Sequence, residues 1–373
     1  MRPRRHRLAR RASSLAIAAF LVAGCSGRGE PLPSPTPTPG TGSNPLVTWP
    51  VRTQMHVDLW LHGYALVQDD TALVPLFERG YRDTVAAVKR RTNVLTQLDV
   101  NRDQLRNRFR ESAALTNGQF LALYFGTWDD LQRGIDIFLR AGGNAPRGGT
   151  DVKSAIIATF AQVFSNSADR EWLRIFNNGL KDEHDKFFRS WWDEQQRSRR
   201  AVISRVDSLW GRERLPRLQR FLNNTRQAAG EFTLSLPLGG EGRTVIAGTR
   251  ANAVAVTFPD RPEDALEAIY VFAHESVGSL AAEAIRDNIT PAEQRTGATN
   301  RYQGAAAVRA GAMLLQRTSP DLVDGYQRYY LRVANRAVAT GASVTSEFER
   351  TFMIPDPIRD SIGRLLDTVL GGI

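Results

Sequence analysis

From Trp49 onward the apolar residues recur mostly at helical spacing. Residues 69–91 place Leu73, Leu76, Tyr81, Val85 and Val88 at three-, four- and five-residue steps between arginines and aspartates, which predicts one amphipathic helix. Similar stripes predict helices at about 100–114, 128–141, 151–165 and 169–210. The longest of these carries Trp172, Phe176, Phe187, Phe188, Trp191 and Trp192, which read as core packing of a long helix pair rather than as a ligand-stacking platform. Between 231 and 258 the period changes to two, in Phe232 to Leu236 and in Ala251 to Phe258. Gly239-Gly240-Glu241-Gly242 suits a tight reversal into a strand near 243–247. The expected class is α+β, predominantly α-helical, with a small antiparallel β-sheet at about 231–258 preceding a buried helix.

That helix is predicted over about 262–288. Asp260, Pro262, Glu263 and Asp264 supply a cap, an early proline and acids at the positive end of the dipole. Leu266, Ile269, Ala273, Val277, Leu280 and Ala284 then repeat every three or four residues, and Ala268 to Ala273 carries no charge. Within this stripe stands His274-Glu275. A carboxylate inside a core is costly unless something compensates it, so the dipeptide requires a partner.

Helices, a small sheet whose last strand forms an edge, and a buried helix with His-Glu at its middle resemble the zincin metallopeptidases, particularly the gluzincin type. The resemblance covers about 231–340. In that family His-Glu-x-x-His sets two imidazoles one turn apart around a general base. It implies His274 as a zinc ligand and Glu275 as the catalytic general base. Here, however, the motif reads His274-Glu275-Ser276-Val277-Gly278, and Gly278 cannot bind a metal. Glu283 faces away, and Glu267 lies two turns back, about 10 Å along the axis at 1.5 Å per residue. Residues 294–320 offer no acid, histidine or cysteine as a third ligand. Zinc therefore stays open as a cofactor, and no other cofactor is indicated. Arg309, within the small-residue run Gly304 to Ala312, is the candidate partner for Glu275 or Glu267, in the charge role a metal would otherwise fill. Earlier in the chain, His56, Asp58, Trp60 and His62 alternate as if on one strand face, which reads as a satisfied edge of the core.

The N-terminus changes the setting. Six arginines at positions 2, 4, 5, 7, 10 and 11 precede an apolar run from Leu15 to Gly24, too short for the roughly 20 residues of a membrane span but within the 7–15 or so of a signal core. Val22-Ala23-Gly24-Cys25 resembles the bacterial lipobox, and Cys25 is the only cysteine. The resemblance implies removal of residues 1–24, lipidation of Cys25 and attachment to a lipid bilayer. Ser26 after the cysteine implies the outer membrane if the source is didermic. Residues 25–46, with Pro31, Pro33, Pro35, Pro37 and Pro39, form a Pro/Gly/Ser/Thr-rich tether that at about 3.1 Å per residue reaches roughly 60 Å. A helical lobe at 47–230 and a zincin-like lobe at 231–373 follow, read either as two units or as one continuous domain.

The net charge of +10 falls to +4 once the six N-terminal arginines are set aside, which argues against a nucleic-acid partner. Two functions remain. One is a membrane-anchored envelope module, non-catalytic and zincin-like or simply helical, that binds a protein, peptide or glycan. The other is a zinc-dependent, metallopeptidase-like hydrolase built on His274 and Glu275.

Overall fold

The computed structural model describes residues 48–144 and 151–371. Cys25 and the expected signal sequence and tether lie outside the described residues. Strand β1 (Val51–Thr53) leads into α1 (Met55–Val67), α2 (Tyr81–Thr92), α3 (Gln97–Val100) and α4 (Arg102–Glu111). A run of 3₁₀ turns over Ala113–Tyr124 follows, then α5 (Trp128–Arg140), α6 (Val152–Val163), α7 (Ser167–Glu183), α8 (Arg189–Ser198), α9 (Arg200–Leu209) and α10 (Leu215–Asn224). Strands β2 (Gly230–Ser235), β3 (Arg243–Ile246) and β4 (Asn252–Thr257) come next. The chain closes with α11 (Leu266–Ser276), α12 (Gly278–Asn288), α13 (Pro291–Arg295), α14 (Ala298–Thr318), α15 (Val323–Val333), α16 (Val344–Thr351) and α17 (Asp356–Gly371). The architecture is predominantly helical with one small sheet.

Where caps and stripes agree, helices form as expected. In α5 the Thr127 hydroxyl accepts from the Asp130 N–H, and Leu131, Ile135 and Phe138 bury one face. In α7 the Asn166 side chain caps Asp169, and Trp172, Leu173, Phe176 and Leu180 are buried. The aromatic set from Trp172 to Trp191 is core packing, with Trp172 and Phe176 stacked at 4.6 Å. The predicted continuous 169–210 helix is interrupted by a wider π-type turn at His184–Phe188 and by Arg199.

Three expectations are corrected. The 69–91 helix exists only as α2. Ahead of it, the Asp70 carboxylate takes the N–H groups of Ala72, Leu76 and Phe77, Pro75 intervenes, and Gly80 adopts φ +84, so residues 69–80 form a cupped loop. Residues 56–62 are helical rather than a strand: α1 is buried on every side, which erases the amphipathic stripe by which a helix is read.

The sheet is mixed, not antiparallel. Its order is β1-β2-β4-β3; β1 and β4 flank β2 in parallel, and only β3 pairs antiparallel, with β4. The glycine run 239–242 makes no β2–β3 hairpin. It departs from the sheet, and the N–H groups of Gly239 and Glu241 donate to the carbonyls of Leu76 and Pro75 in the cupped loop. Because β1 comes before the helical region and β2–β4 after it, one sheet ties the two together. A single cluster of buried side chains runs from Trp49 to Leu366.

Candidate functional site around His274 and Glu275

Helix α11 lies against β4 and beneath edge strand β3, with Ala268 to His274 buried. It stops at Ser276. Val277 has φ −95 and ψ −1, and α12 starts at Gly278, so the predicted 262–288 helix is two helices meeting directly after the His-Glu pair.

Glu275 reaches up to β3. The Gly242 N–H donates to one carboxylate oxygen at 3.0 Å and the Thr244 hydroxyl to the other at 2.9 Å. His274 Nδ1 lies 3.2 Å from the first. Burial works to raise the Glu275 carboxyl, but the hydrogen bond and charge of His274, with Arg243 and the Gly242 N–H, outweigh it and hold the group below the usual carboxylate range. A side chain at 242 would collide with this arrangement: a Cβ there falls 2.4 Å from the Ala255 carbonyl oxygen and 2.8 Å from Glu275 Cγ. Glycine is what lets strand and carboxylate approach.

His274 is stacked on Tyr330 at 5.5 Å, and the Tyr330 hydroxyl donates to the Gly240 carbonyl at 3.1 Å. A carboxylate accepts only, so His274 donates to Glu275 from Nδ1–H. His274 Nε2 is buried with no hydrogen-bond partner. Glu241 stands nearby; its carboxyl is raised by burial, against the pull of Arg243 and His274.

The donor set does not fit a zinc centre. Among the described residues no three His, Cys, Asp or Glu side chains are grouped to hold a metal ion. Gly278, where the second histidine of the motif would stand, brings no side chain to the site, and His274 is covered by Tyr330.

The expected pairing of Arg309 with Glu275 or Glu267 does not occur. Arg309 donates to Glu349 on α16 at 2.9 Å and lies over the Phe348 ring. Glu267 is bound instead by Arg332 of α15. The small residues of α14 do bring it close to α11 and α12, but Arg309 leaves on another side, toward α16.

Two features escaped the sequence. The first is a charge cluster buried between α1, α2, α3 and α7. Glu183 Oε1 is 3.0 Å from His62 Nε2, Glu183 Oε2 is 2.7 Å from Lys89 Nζ, and Lys89 Nζ is 2.8 Å from Asp99. His62 Nδ1 meets the Tyr81 hydroxyl at 2.9 Å. Burial opposes the Glu183 charge, yet His62 and Lys89 hold its carboxyl down at about 2. A signal was present: Glu183 continues the Trp172, Phe176, Leu180 stripe, and Lys89 continues Tyr81, Val85, each placing a charge at a core position. Asp58 is a second buried acid, beside Trp192 Nε1 at 2.7 Å and the Leu236 N–H at 3.2 Å. Burial pushes its carboxyl up to about 7.

The second feature is a groove along the cupped loop. A hollow of about 240 Å³ between Gly239–Gly240 and Arg332 adjoins one of about 510 Å³ beside Asp69 and Arg82, and Pro75, Glu78 and Arg79 line both. No described helix is long and apolar enough to cross a membrane. No protein-family model, curated protein or solved structure matches the chain.

Proposed function

We propose that this chain is a non-catalytic envelope module, tethered to a lipid bilayer through Cys25, whose folded body binds a protein, peptide or glycan. The observation that carries the reading is the state of Glu275. Its oxygens are engaged by Gly242, just before β3, and by Thr244 on β3, so the side chain expected to act as a general base works as a latch between helix and edge strand. A base works best with an oxygen turned toward the proton it removes, and here both oxygens are turned toward Gly242, Thr244 and His274. Polar and charged side chains line the groove along the cupped loop, which suits a hydrophilic segment better than an apolar cofactor.

The test is metal analysis of the purified protein together with Glu275→Gln and His274→Ala. The expected result is no stoichiometric zinc, with both substitutions lowering the melting temperature. Stoichiometric zinc that is lost in His274→Ala overturns the reading in favour of a zinc-dependent hydrolase.

A further inference from the structure

Helices α9 and α10, with the π-type turn Trp210–Arg214 between them, make one unbroken helical run from Arg200 to Asn224. Val202, Val206, Leu209, Leu218 and Phe221 turn its inner side to the core. Arg205, Arg212, Arg217 and Arg220 stand exposed on the outer side, and Arg226 is exposed just past its end. Only part of this charge is neutralised. Asp321 takes Arg217 at 2.9 Å and the buried Arg214 at 2.8 Å, and Glu213 lies 3.4 Å from Arg214. Arg220 donates to the Gly371 carbonyl, an uncharged acceptor. Arg205, Arg212 and Arg226 form no ion pair among the described residues.

Residues 200–226 hold seven arginines against two acids, Asp207 and Glu213, and Asp321 brings a third. The rest of the chain is balanced: the 49 basic residues less the six N-terminal arginines are 43 against 39 acids, and without these seven arginines and three acids 36 of each remain. The surplus of four therefore belongs to this surface. It also stands where residues 25–46 join the body. The Thr48 hydroxyl donates to Gln219 Oε1 on α10 at 3.3 Å, and the Gly230 N–H donates to the Thr48 carbonyl at 2.9 Å. The Ala229 N–H donates to the Thr249 carbonyl, which brings the β3–β4 turn and its exposed Arg250 to the same end. Anionic headgroups attract each arginine held near them, and a basic patch beside an acyl anchor is a second membrane signal.

We propose that the arginine face of α9 and α10 docks on an anionic lipid bilayer, so that the body lies against the membrane with this helical run at the headgroups. The inference rests on the bilayer attachment proposed above, which supplies proximity, while the face supplies orientation.

The full chain is sedimented with vesicles of phosphatidylcholine, with and without phosphatidylglycerol, and the ratio of the two binding constants is read. Acyl chains on Cys25 enter both vesicle types alike, and the N-terminal arginines, where retained, raise the ratio equally in every variant. The wild type should favour phosphatidylglycerol, less so as salt rises. R205Q/R212Q, which removes two side chains that make no hydrogen bond within the fold, should lower the ratio by about tenfold or more. R205K/R212K keeps the charge and should preserve the ratio; R133Q/R140Q, the same charge change on α5, should alter it little. A wild type indifferent to phosphatidylglycerol, or an equal fall in either of these two controls, overturns the proposal. Saturable binding of polyglutamate by such an indifferent chain assigns the face to an acidic protein segment instead. The intact mass of the membrane-extracted chain separates this inference from the anchor. An acylated chain whose ratio ignores R205Q/R212Q removes the face and keeps the anchor, whereas an unacylated chain whose ratio still follows those arginines keeps the face and removes the anchor.

Discussion

Two histidine–glutamate pairs stand among the described residues, and they differ in how they are built. His274 and Glu275 are neighbours in the chain, at the end of a helix, and join α11 to the edge strand. His62 and Glu183 are 121 residues apart and fully buried, with Lys89 completing the charge balance. The first looks catalytic in the sequence, and in the structure it ties α11 to Gly242 and Thr244. The second is invisible as a motif and fastens three helices. A dipeptide is read from adjacency, whereas chemistry depends on what each atom already binds, and at Glu275 both oxygens accept hydrogen bonds.

The contrast is most sharply tested by Glu183→Gln, which leaves Lys89 only Asp99 as a charge partner and should cost at most about 3–5 kcal/mol in denaturant unfolding. Adding Lys89→Met should recover part of that loss; simple additivity of the two would mean they are not coupled.

Acid comes next. The Glu183 carboxyl is held below its unfolded value, so its contribution is present above about pH 4.5 and is lost as pH falls from 4.5 toward 2, on the order of 3 kcal/mol. Asp58 runs the other way. Its carboxyl is raised from 3.8 to about 7, so the native state holds an extra proton between those values and stability falls as pH climbs through them. Melting curves from pH 3 to 8 should show the acid-side loss flattened in Glu183→Gln and the loss above pH 4 flattened in Asp58→Asn. Unchanged profiles would break the account of both buried acids.

Glu275→Ala strands the Gly242 N–H and the Thr244 hydroxyl and should cost about 1–3 kcal/mol, less than Glu183→Gln. A loss larger than that of Glu183→Gln would reverse the ranking of the two pairs. The smallest effect is expected of Gly278→His, which writes the full His-Glu-x-x-His motif. With open space around the Cβ, stability should move within about 0.5 kcal/mol, and no zinc should bind. Zinc captured by this variant would show that α11 and α12 can realign.

Much of the fold was legible. Helices α5, α6 and α7 followed from apolar stripes and the strand segments near 232–236 and 251–258 from period-two runs, whereas the strand near 243–247 was expected from a glycine reversal that makes no hairpin. Loss of legibility had distinct causes. Helix α1 hides because total burial removes its polar face. The 69–80 loop masquerades as helix because Leu76 falls at helical spacing from Leu73 and Tyr81, although Leu73 is exposed and Val74, Leu76 and Phe77 pack inward from an Asp70-capped turn. Strand β1 is three residues long, below the reach of any periodicity. Of the candidate site, His274 and Glu275 were identified and their partners were not: Arg309 was offered, whereas Gly242 and Thr244 supply the bonds.

By itself, then, the sequence determined the helical character, the location of the strand-forming segments, and the presence of a buried His-Glu needing compensation, because periodicity and burial cost are local properties. Only the tertiary structure decided the order and sense of the strands, the partners of every buried charge, and the grouping of Arg82, Arg106 and Arg110 on Asp69. Those depend on which distant segments the closed core brings within hydrogen-bond distance, and no spacing along the chain encodes that.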